Sequence, residues 1–336
     1  MSTATKLLLA RYADCAMWLG RYIERAENLA RILDVNMHFS RDARGSQNWR
    51  SIVQLNADEK RFDKAYDVAS YANVVNFYVL DRDNPTSIIS AVRSAKENAR
   101  SLRPLLSTEM WQHLNMFNNQ LSTLSADDVK PSELARISAM IKEQCQLHTG
   151  ITEGTFFRDQ SWHFYLLGKR IERADQTTRL LDIKYHLLLP MDQTVGSPVD
   201  VSQWNALLRS VAGYHAFRRE HPRGMSPKAV AGFLLFNSAF PRSIWTGLSE
   251  IDFNLHRLRS DFGLRAGNGA MELVDETRAA LESHTPDTVV NFGLHEFSDY
   301  LQRQLSAITT EIRRDFCGFE PMTDSTAAGG QMQHQD

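Results

Sequence analysis

Residues 19–38 of the chain read LGRYIERAENLARILDVNMH, and residues 167–186 read LGKRIERADQTTRLLDIKYH. The two stretches align without gaps at an offset of 148 residues. In both stretches apolar residues recur at spacings of three and four, which predicts an amphipathic α-helix. Ten of the twenty aligned positions are identical: Leu19/Leu167, Gly20/Gly168, Ile23/Ile171, Glu24/Glu172, Arg25/Arg173, Ala26/Ala174, Arg31/Arg179, Leu33/Leu181, Asp34/Asp182 and His38/His186.

A second pair of stretches repeats in the same order along the chain. Phe77–Ile88 (FYVLDRDNPTSI) aligns with Phe233–Ile244 (FLLFNSAFPRSI) at an offset of 156 residues. A period of ~150 residues exceeds the period of solenoid repeats, so the pattern indicates a duplicated unit. We therefore predict two pseudo-symmetric helical repeats, residues 1–150 and 151–319, that pack together as one unit.

The rest of the chain also predicts helices. No proline precedes Pro85, and none lies between Pro131 and Pro190, so long helices are permitted in both segments. Signals for strands are poor, because the one Asn-Gly pair, Asn268-Gly269, is not flanked by alternating apolar runs. The sequence therefore predicts an all-α fold.

Several helix boundaries can be predicted. Asn84-Pro85 and Ser226-Pro227 each combine an N-cap side chain with a proline suited to the first helical position. Residues 320–336 contain no Leu, Ile or Val and are expected to form a disordered tail. Breaks between helices are expected near residues 41–47, 122–131, 190–199, 218–227 and 263–269.

Composition limits the class of protein. The chain is 43% hydrophobic and 23% charged, as in folded soluble proteins. Its 38 Lys and Arg against 40 Asp and Glu leave a formal net charge of -2, which argues against nucleic acid or an anionic membrane as a partner. Cys15, Cys145 and Cys317 lack any CxxC pairing, which argues against a disulfide framework or a structural zinc site. Because no apolar run approaches the length of a signal or membrane segment, we expect a cytoplasmic protein.

Sequence motifs for catalysis are absent from the chain. Neither GxxxxGK[ST] nor GxGxxG occurs, so no nucleotide-binding loop and no cofactor are predicted. No GxSxG marks a nucleophile. The sequence leaves open whether the protein is an enzyme and favours a chain that is not catalytic on its own.

The repeated helix carries a ladder of polar side chains beside its apolar stripe. At ~100° per residue, residues spaced by three or four share one shoulder of the helix, where each can reach the next. Arg25 and Arg173 are expected on the opposite shoulder. The predicted ladder of the first copy is Gly20, Glu24, Glu27, Arg31, Asp34 and His38, and that of the second is Gly168, Glu172, Asp175, Arg179, Asp182 and His186.

Three interpretations of the ladders remain open. In the first, they form an ion network between packed helices, with Arg31 between Glu27 and Asp34 and with Glu24 or Arg25 clamping a neighbouring helix end or loop. In the second, the two ladders converge into a polar pocket between the repeats. In the third, carboxylates and histidines bind metal, but their Asp-x3-His spacing differs from the Glu-x2-His of dinuclear sites, so we predict no metal.

A local basic segment and two histidines are further candidates. Arg218, Arg219, Arg223 and Lys228 cluster around a predicted loop that could bind an anion or an acidic partner, or could simply be solvated. His148 and His163 could exchange protons, although a lone histidine in such a position is more often a hydrogen-bonded structural residue.

The repeated motif resembles that of a known family. The stretches WLGRYIERAEN (18–28), LGKRIERA (167–174) and FPRSI (240–244) are similar to the bacterial alpha-E family, an all-helical domain of unknown function with a Glu-Arg motif. The resemblance covers nearly the whole chain before the tail. Glu24-Arg25 and Glu172-Arg173 match its motif. One departure is that Asn84 aligns with Phe240, so the two copies need not do the same job.

The resemblance also implies partner proteins. Members of the family are typically encoded beside a circularly permuted ATP-grasp ligase and a transglutaminase-like peptidase. We therefore expect an accessory, scaffold or binding protein that works with an ATP-grasp-type ligase in a peptide-forming or peptide-modifying system. The alternative is a transferase or amide-forming enzyme that uses a polar Glu/Arg pocket between the two repeats.

Overall fold

The computed structural model describes residues 8–42, 49–187, 198–222 and 224–318, without the side chains of 38–42, 183–187, 198–200 and 290–292. These residues contain no β-strand, so the all-α prediction is confirmed. The predicted tail and Arg223 lie outside the described residues. Fifteen α-helices are present: α1 (Ala10–Asp42), α2 (Arg50–Leu55), α3 (Glu59–Ala65), α4 (Tyr71–Val75), α5 (Ile88–Ser101), α6 (Thr108–Ser122), α7 (Leu134–Thr155), α8 (Gln160–Leu187), α9 (Pro198–Ser210), α10 (Tyr214–Glu220), α11 (Pro227–Phe236), α12 (Ile244–Phe262), α13 (Asn268–Glu282), α14 (Pro286–Phe292) and α15 (Leu294–Cys317).

Helices α1 and α8, which carry the repeated motif, lie side by side at the centre of the fold. Helices α5 and α7 pack on α1, and α12 and α15 pack on α8. The predicted apolar stripe faces this core, since Leu19, Ile23 and Leu33 are all buried. The surrounding helices therefore bury most of both central helices.

Two glycines set the distance between α1 and α8. A Cβ atom on Gly20 would lie 2.3 Å from the carbonyl oxygen of Tyr165, and one on Gly168 would lie 1.9 Å from that of Met17. Real Cβ atoms do not approach a carbonyl oxygen so closely, so only glycine permits this backbone contact. Because residues 17–20 meet 165–168 and Glu24 meets Arg173 further along, the two helices run in the same direction.

The second repeated stretch precedes α5 and α12, and a serine caps each helix. Ser87 Oγ accepts a hydrogen bond from the amide of Ser90, and Ser243 Oγ accepts one from the amide of Thr246. Ser226-Pro227 starts α11 as predicted. The predicted start at Asn84-Pro85 is wrong, because the Asn84 side chain caps a turn and α5 begins only at Ile88.

The predicted breaks near 122–131, 218–227 and 263–269 fall between helices. Those near 41–47 and 190–199 lie largely outside the described residues. Helix α7 runs through the predicted border at residue 150. The internal duplication stays an interpretation of the sequence.

In the described segments, none of the helices combines the length and the apolar character that crossing a bilayer requires.

Candidate functional site

The Glu-Arg motifs of α1 and α8 contact each other directly. Arg25 donates to the Glu172 carboxylate through Nε at 2.7 Å and through Nη2 at 3.0 Å. Arg21 Nε donates to the same carboxylate at 2.8 Å. We call Glu172, Arg21 and Arg25 the Glu172 cluster.

The reciprocal contact joins Arg173 of α8 to Glu24 of α1. Arg173 donates to Glu24 through Nε at 2.9 Å and through Nη2 at 2.8 Å. Arg242, two residues before α12, donates to Glu24 Oε1 at 2.7 Å and to Glu27 Oε1 at 3.0 Å. Arg31 also donates to Glu27. We call the following residues the Glu24 cluster: Glu24, Glu27, Asn28, Arg31, Lys169, Arg173 and Arg242.

Arg25 and Arg173 were predicted on the shoulder opposite the ladder of their own helix, and each of them contacts the glutamate of the facing helix. A helical wheel positions a side chain relative to its own helix and carries no information about the neighbouring helix. Both arginines are long enough to cross to the facing glutamate, and their planar guanidinium groups match it with two parallel hydrogen bonds. The Glu-Arg motif is thus a reciprocal clasp between two helices.

Burial and charge act in opposite directions on the two central carboxylates. Burial by itself raises the pKa of Glu24 and Glu172, each 1% exposed. The facing guanidinium groups outweigh burial and lower the pKa of Glu172 to about 2. The pKa of Glu24 is also held well below its usual value by Arg173 and Arg242. Both groups are therefore anions at neutral pH and poor proton acceptors.

The remaining described members of the ladders pair within their own helix or with a neighbouring helix. Arg31 contacts Glu27 rather than bridging Glu27 and Asp34, and Asp34 accepts a hydrogen bond from Lys142 of α7 at 2.6 Å. In the second copy Arg179 donates to Asp175 at 2.8 Å.

Each ladder pairs with side chains outside the other ladder: Glu24 contacts Arg173 and Arg242, and Glu172 contacts Arg21 and Arg25. The side chains of His38 and His186 lie outside the described residues.

Sequence reasoning missed four members of the two clusters: Arg21, Asn28, Lys169 and Arg242. Arg21 and Lys169 align with each other in the repeat, so a cation one turn before each glutamate was a visible signal. Their roles differ, because Lys169 Nζ donates to Thr149 Oγ1 at 3.1 Å instead of to a carboxylate. Arg242 aligns with Thr86, so the two copies differ at this position. That difference was the visible signal for Arg242.

A potential metal-binding group lies at the far end of the second ladder. One ligand atom from each of Asp182, His295 and Asp299 falls within 4.8 Å of the others. His295 Nδ1 is 2.5 Å from Asp182 Oδ1, and its Nε2 is 3.7 Å from Asp299 Oδ2. The hydrogen bond with Asp182 raises the pKa of His295. The imidazole is thus flanked by carboxylates at both nitrogens, an arrangement suited to a protonated histidine.

The histidines proposed as proton carriers are enclosed. His148 is fully buried against the ring of Tyr165, with the ring centroids 6.1 Å apart. Burial, aided by the charge of nearby Lys169, lowers the pKa of His148 to about 3, so it is neutral at pH 7. His163 hydrogen-bonds to Asn254. Both positions suit structural residues.

The basic segment is exposed and only partly paired. Arg218 and Arg219 end α10 with exposed side chains, and Lys228 forms a salt bridge with Asp287 of α14. With Arg223 undescribed, the segment presents two exposed arginines for contacts outside the chain.

Comparisons with known proteins give relatives of unknown activity. The chain is 25% identical over 325 residues to uncharacterized proteins of Mycobacterium bovis and Mycobacterium tuberculosis. These matches cover 88% of this chain and 35% of each relative, so the chain spans about a third of the length of the proteins it matches. No solved structure matches the chain. A family model described as a predicted alpha-helical domain with a conserved ER motif matches residues 8–317, and the chain belongs to this Alpha-E family.

Proposed function

We propose that the chain is a non-catalytic helical module that works with an ATP-grasp-type ligase in a peptide-forming or peptide-modifying system. A transglutaminase-like peptidase is the proposed second partner of that system. The observation that carries this proposal is the length of the mycobacterial relatives, of which the matched region covers only 35%. In those proteins the helical region is one part of a longer polypeptide, as expected for a domain that works beside others.

The chemistry of the Glu-Arg clasp supports a non-catalytic role. A general base needs a pKa near the operating pH and access to the substrate proton. Glu24 and Glu172 are buried, their oxygens are occupied by guanidinium donors, and their pKa values are lowered. The alternative, an amide-forming enzyme with a Glu/Arg pocket between the repeats, requires these carboxylates to be open to substrate.

Affinity capture tests the proposed partnership. The tagged full chain, expressed in its native host, is expected to copurify with a ligase of the ATP-grasp class, identified by mass spectrometry. Arg218→Glu combined with Arg219→Glu reverses two exposed charges and is expected to reduce capture if the basic segment contacts the ligase. A matched control is Arg100→Glu, which changes an exposed arginine on α5.

Calorimetry separates the module from the enzyme alternative. The isolated chain is expected to show no saturable ATP binding at micromolar concentration, because it has no phosphate-binding loop. Saturable binding by the chain alone, or failure to recover a ligase from native extracts, would contradict the proposal.

A further inference from the structure

The Glu24 cluster contains more positive than negative charge. Its two carboxylates, Glu24 and Glu27, are surrounded by four cationic side chains that are almost completely buried. Lys169 is 7% exposed as a residue. The three arginine side chains are 10 to 13% exposed. The nearby pairs Lys142–Asp34 and Arg170–Glu250 are each neutral and leave this excess unchanged. The four cations are Arg31, Lys169, Arg173 and Arg242.

Lys169 is the cation of this cluster that hydrogen-bonds to none of the carboxylates in the described residues. It is 7% exposed, and its single described hydrogen bond goes to the Thr149 hydroxyl. The Glu24 carboxylate, toward which its position in the repeat directs it, is occupied by Arg173 and Arg242. Two of the three ammonium hydrogens of Lys169 are therefore available to another acceptor.

A second unused donor lies one turn before Lys169 on α8. The Tyr165 side chain is 1% exposed, and its hydroxyl lies near Thr152 of α7 without forming a hydrogen bond of normal geometry among the described residues. Burial raises the pKa of Tyr165, so the hydroxyl keeps its proton. Residues four apart on a helix share a face, and both side chains contact α7: the Tyr165 ring lies beside the His148 ring, and the Lys169 ammonium donates to Thr149.

We propose that Lys169 and Tyr165 bind an oxyanion, either a carboxylate or a phosphate group, between α7 and α8. An anion at this position would accept hydrogen bonds from both unused donors and would offset the positive charge of the Glu24 cluster. Metal binding is disfavoured there because the neighbouring ammonium and guanidinium groups repel a cation. The proposal does not rest on the ligase partnership.

Thermal melts of the full chain with inorganic phosphate and with acetate test this site. Sodium chloride at matched ionic strength is the reference. A saturable rise in melting temperature of about 2 °C or more over chloride is expected with at least one of the two anions. A rise with phosphate alone assigns a phosphate group, and a rise with acetate alone assigns a carboxylate. No rise over chloride with either anion would overturn the proposal.

Variants identify the residues responsible. Lys169→Met is expected to lose the anion-dependent rise while its melting temperature without anion stays the same or increases, because a buried cation without a carboxylate partner is removed. Tyr165→Phe keeps the ring and is expected to weaken the calorimetric affinity about tenfold. Arg21→Met is the matched control at the aligned position and is expected to keep the rise despite a lower melting temperature. An undiminished rise in Lys169→Met would place the anion elsewhere and refute the assignment.

Discussion

The Glu172 and Glu24 clusters are built from the same motif on the same pair of helices, yet they differ in composition. At Glu172 two arginines from α1 surround one carboxylate. At Glu24 one arginine from the motif and Arg242, which precedes α12, contact the carboxylate, while Lys169 turns toward α7. The motif therefore supplies the clasp, whereas residues outside the motif set the charge around it.

Removing the central carboxylates is expected to have the largest effect. Glu24→Gln leaves Arg173 and Arg242 with Glu27 as their nearest carboxylate, at a cost of about 3 to 5 kcal/mol in the free energy of unfolding. Glu172→Gln is expected to cost less, because Arg25 remains 21% exposed and can be solvated. Urea denaturation at pH 7 measures both. Equal losses would remove the proposed energetic difference between the clusters, and near-native stability would contradict the clasp.

The glycine contact next to the two clusters provides the second test. Gly168→Ala places a Cβ atom 1.9 Å from a carbonyl oxygen, so α1 and α8 must separate, at a cost of about 1 to 3 kcal/mol or more. Gly20→Ala is expected to cost slightly less, since its contact distance is 2.3 Å. The control is Gly150→Ala on α7, where the added atom meets nothing within 4 Å. That change is expected to stabilise the helix by about 0.5 to 1 kcal/mol. A control that destabilises as much as the test variants would show that helix separation is not the cause.

The sequence predicted those features of the two central helices that depend on one helix at a time. Spacings of three and four residues identified the apolar stripe and the all-α fold, because helical periodicity is local. The partners of Glu24 and Glu172 depend on which helices become neighbours, which periodicity does not determine. Arg242 lies 218 residues from Glu24 along the chain, so no spacing rule could pair them.

Thr86, which aligns with Arg242, tests whether the second repeated stretch anchors both halves. Its hydroxyl donates to the buried Asp58 carboxylate at 2.6 Å. Thr86→Val keeps the shape and removes this hydrogen bond, so a loss of about 1.5 kcal/mol in unfolding free energy is expected. The loss is modest because Tyr78 and Arg61 still contact Asp58. A double variant with Asp58→Asn gives the coupling energy, and a value near zero would contradict the contact.

The smallest expected effect separates the clusters by pH. Burial lowers the pKa of Lys169 to about 8, whereas an unfolded lysine titrates near 10.4. Between these values the unfolded chain binds the proton and the folded chain does not, so this residue makes the fold more stable as pH rises and less stable as pH falls. From pH 8 to pH 9 this residue is expected to raise the free energy of unfolding by about 1 kcal/mol.

The measurement is the difference in unfolding free energy between the native chain and Lys169→Met at each pH, which cancels the contributions of the other titrating groups. Arg21→Met is the control, because arginine does not titrate in this range and its difference curve should be flat. A flat curve for Lys169→Met as well would mean that the lysine is as well compensated as Arg21, and the charge distinction between the two clusters would fail.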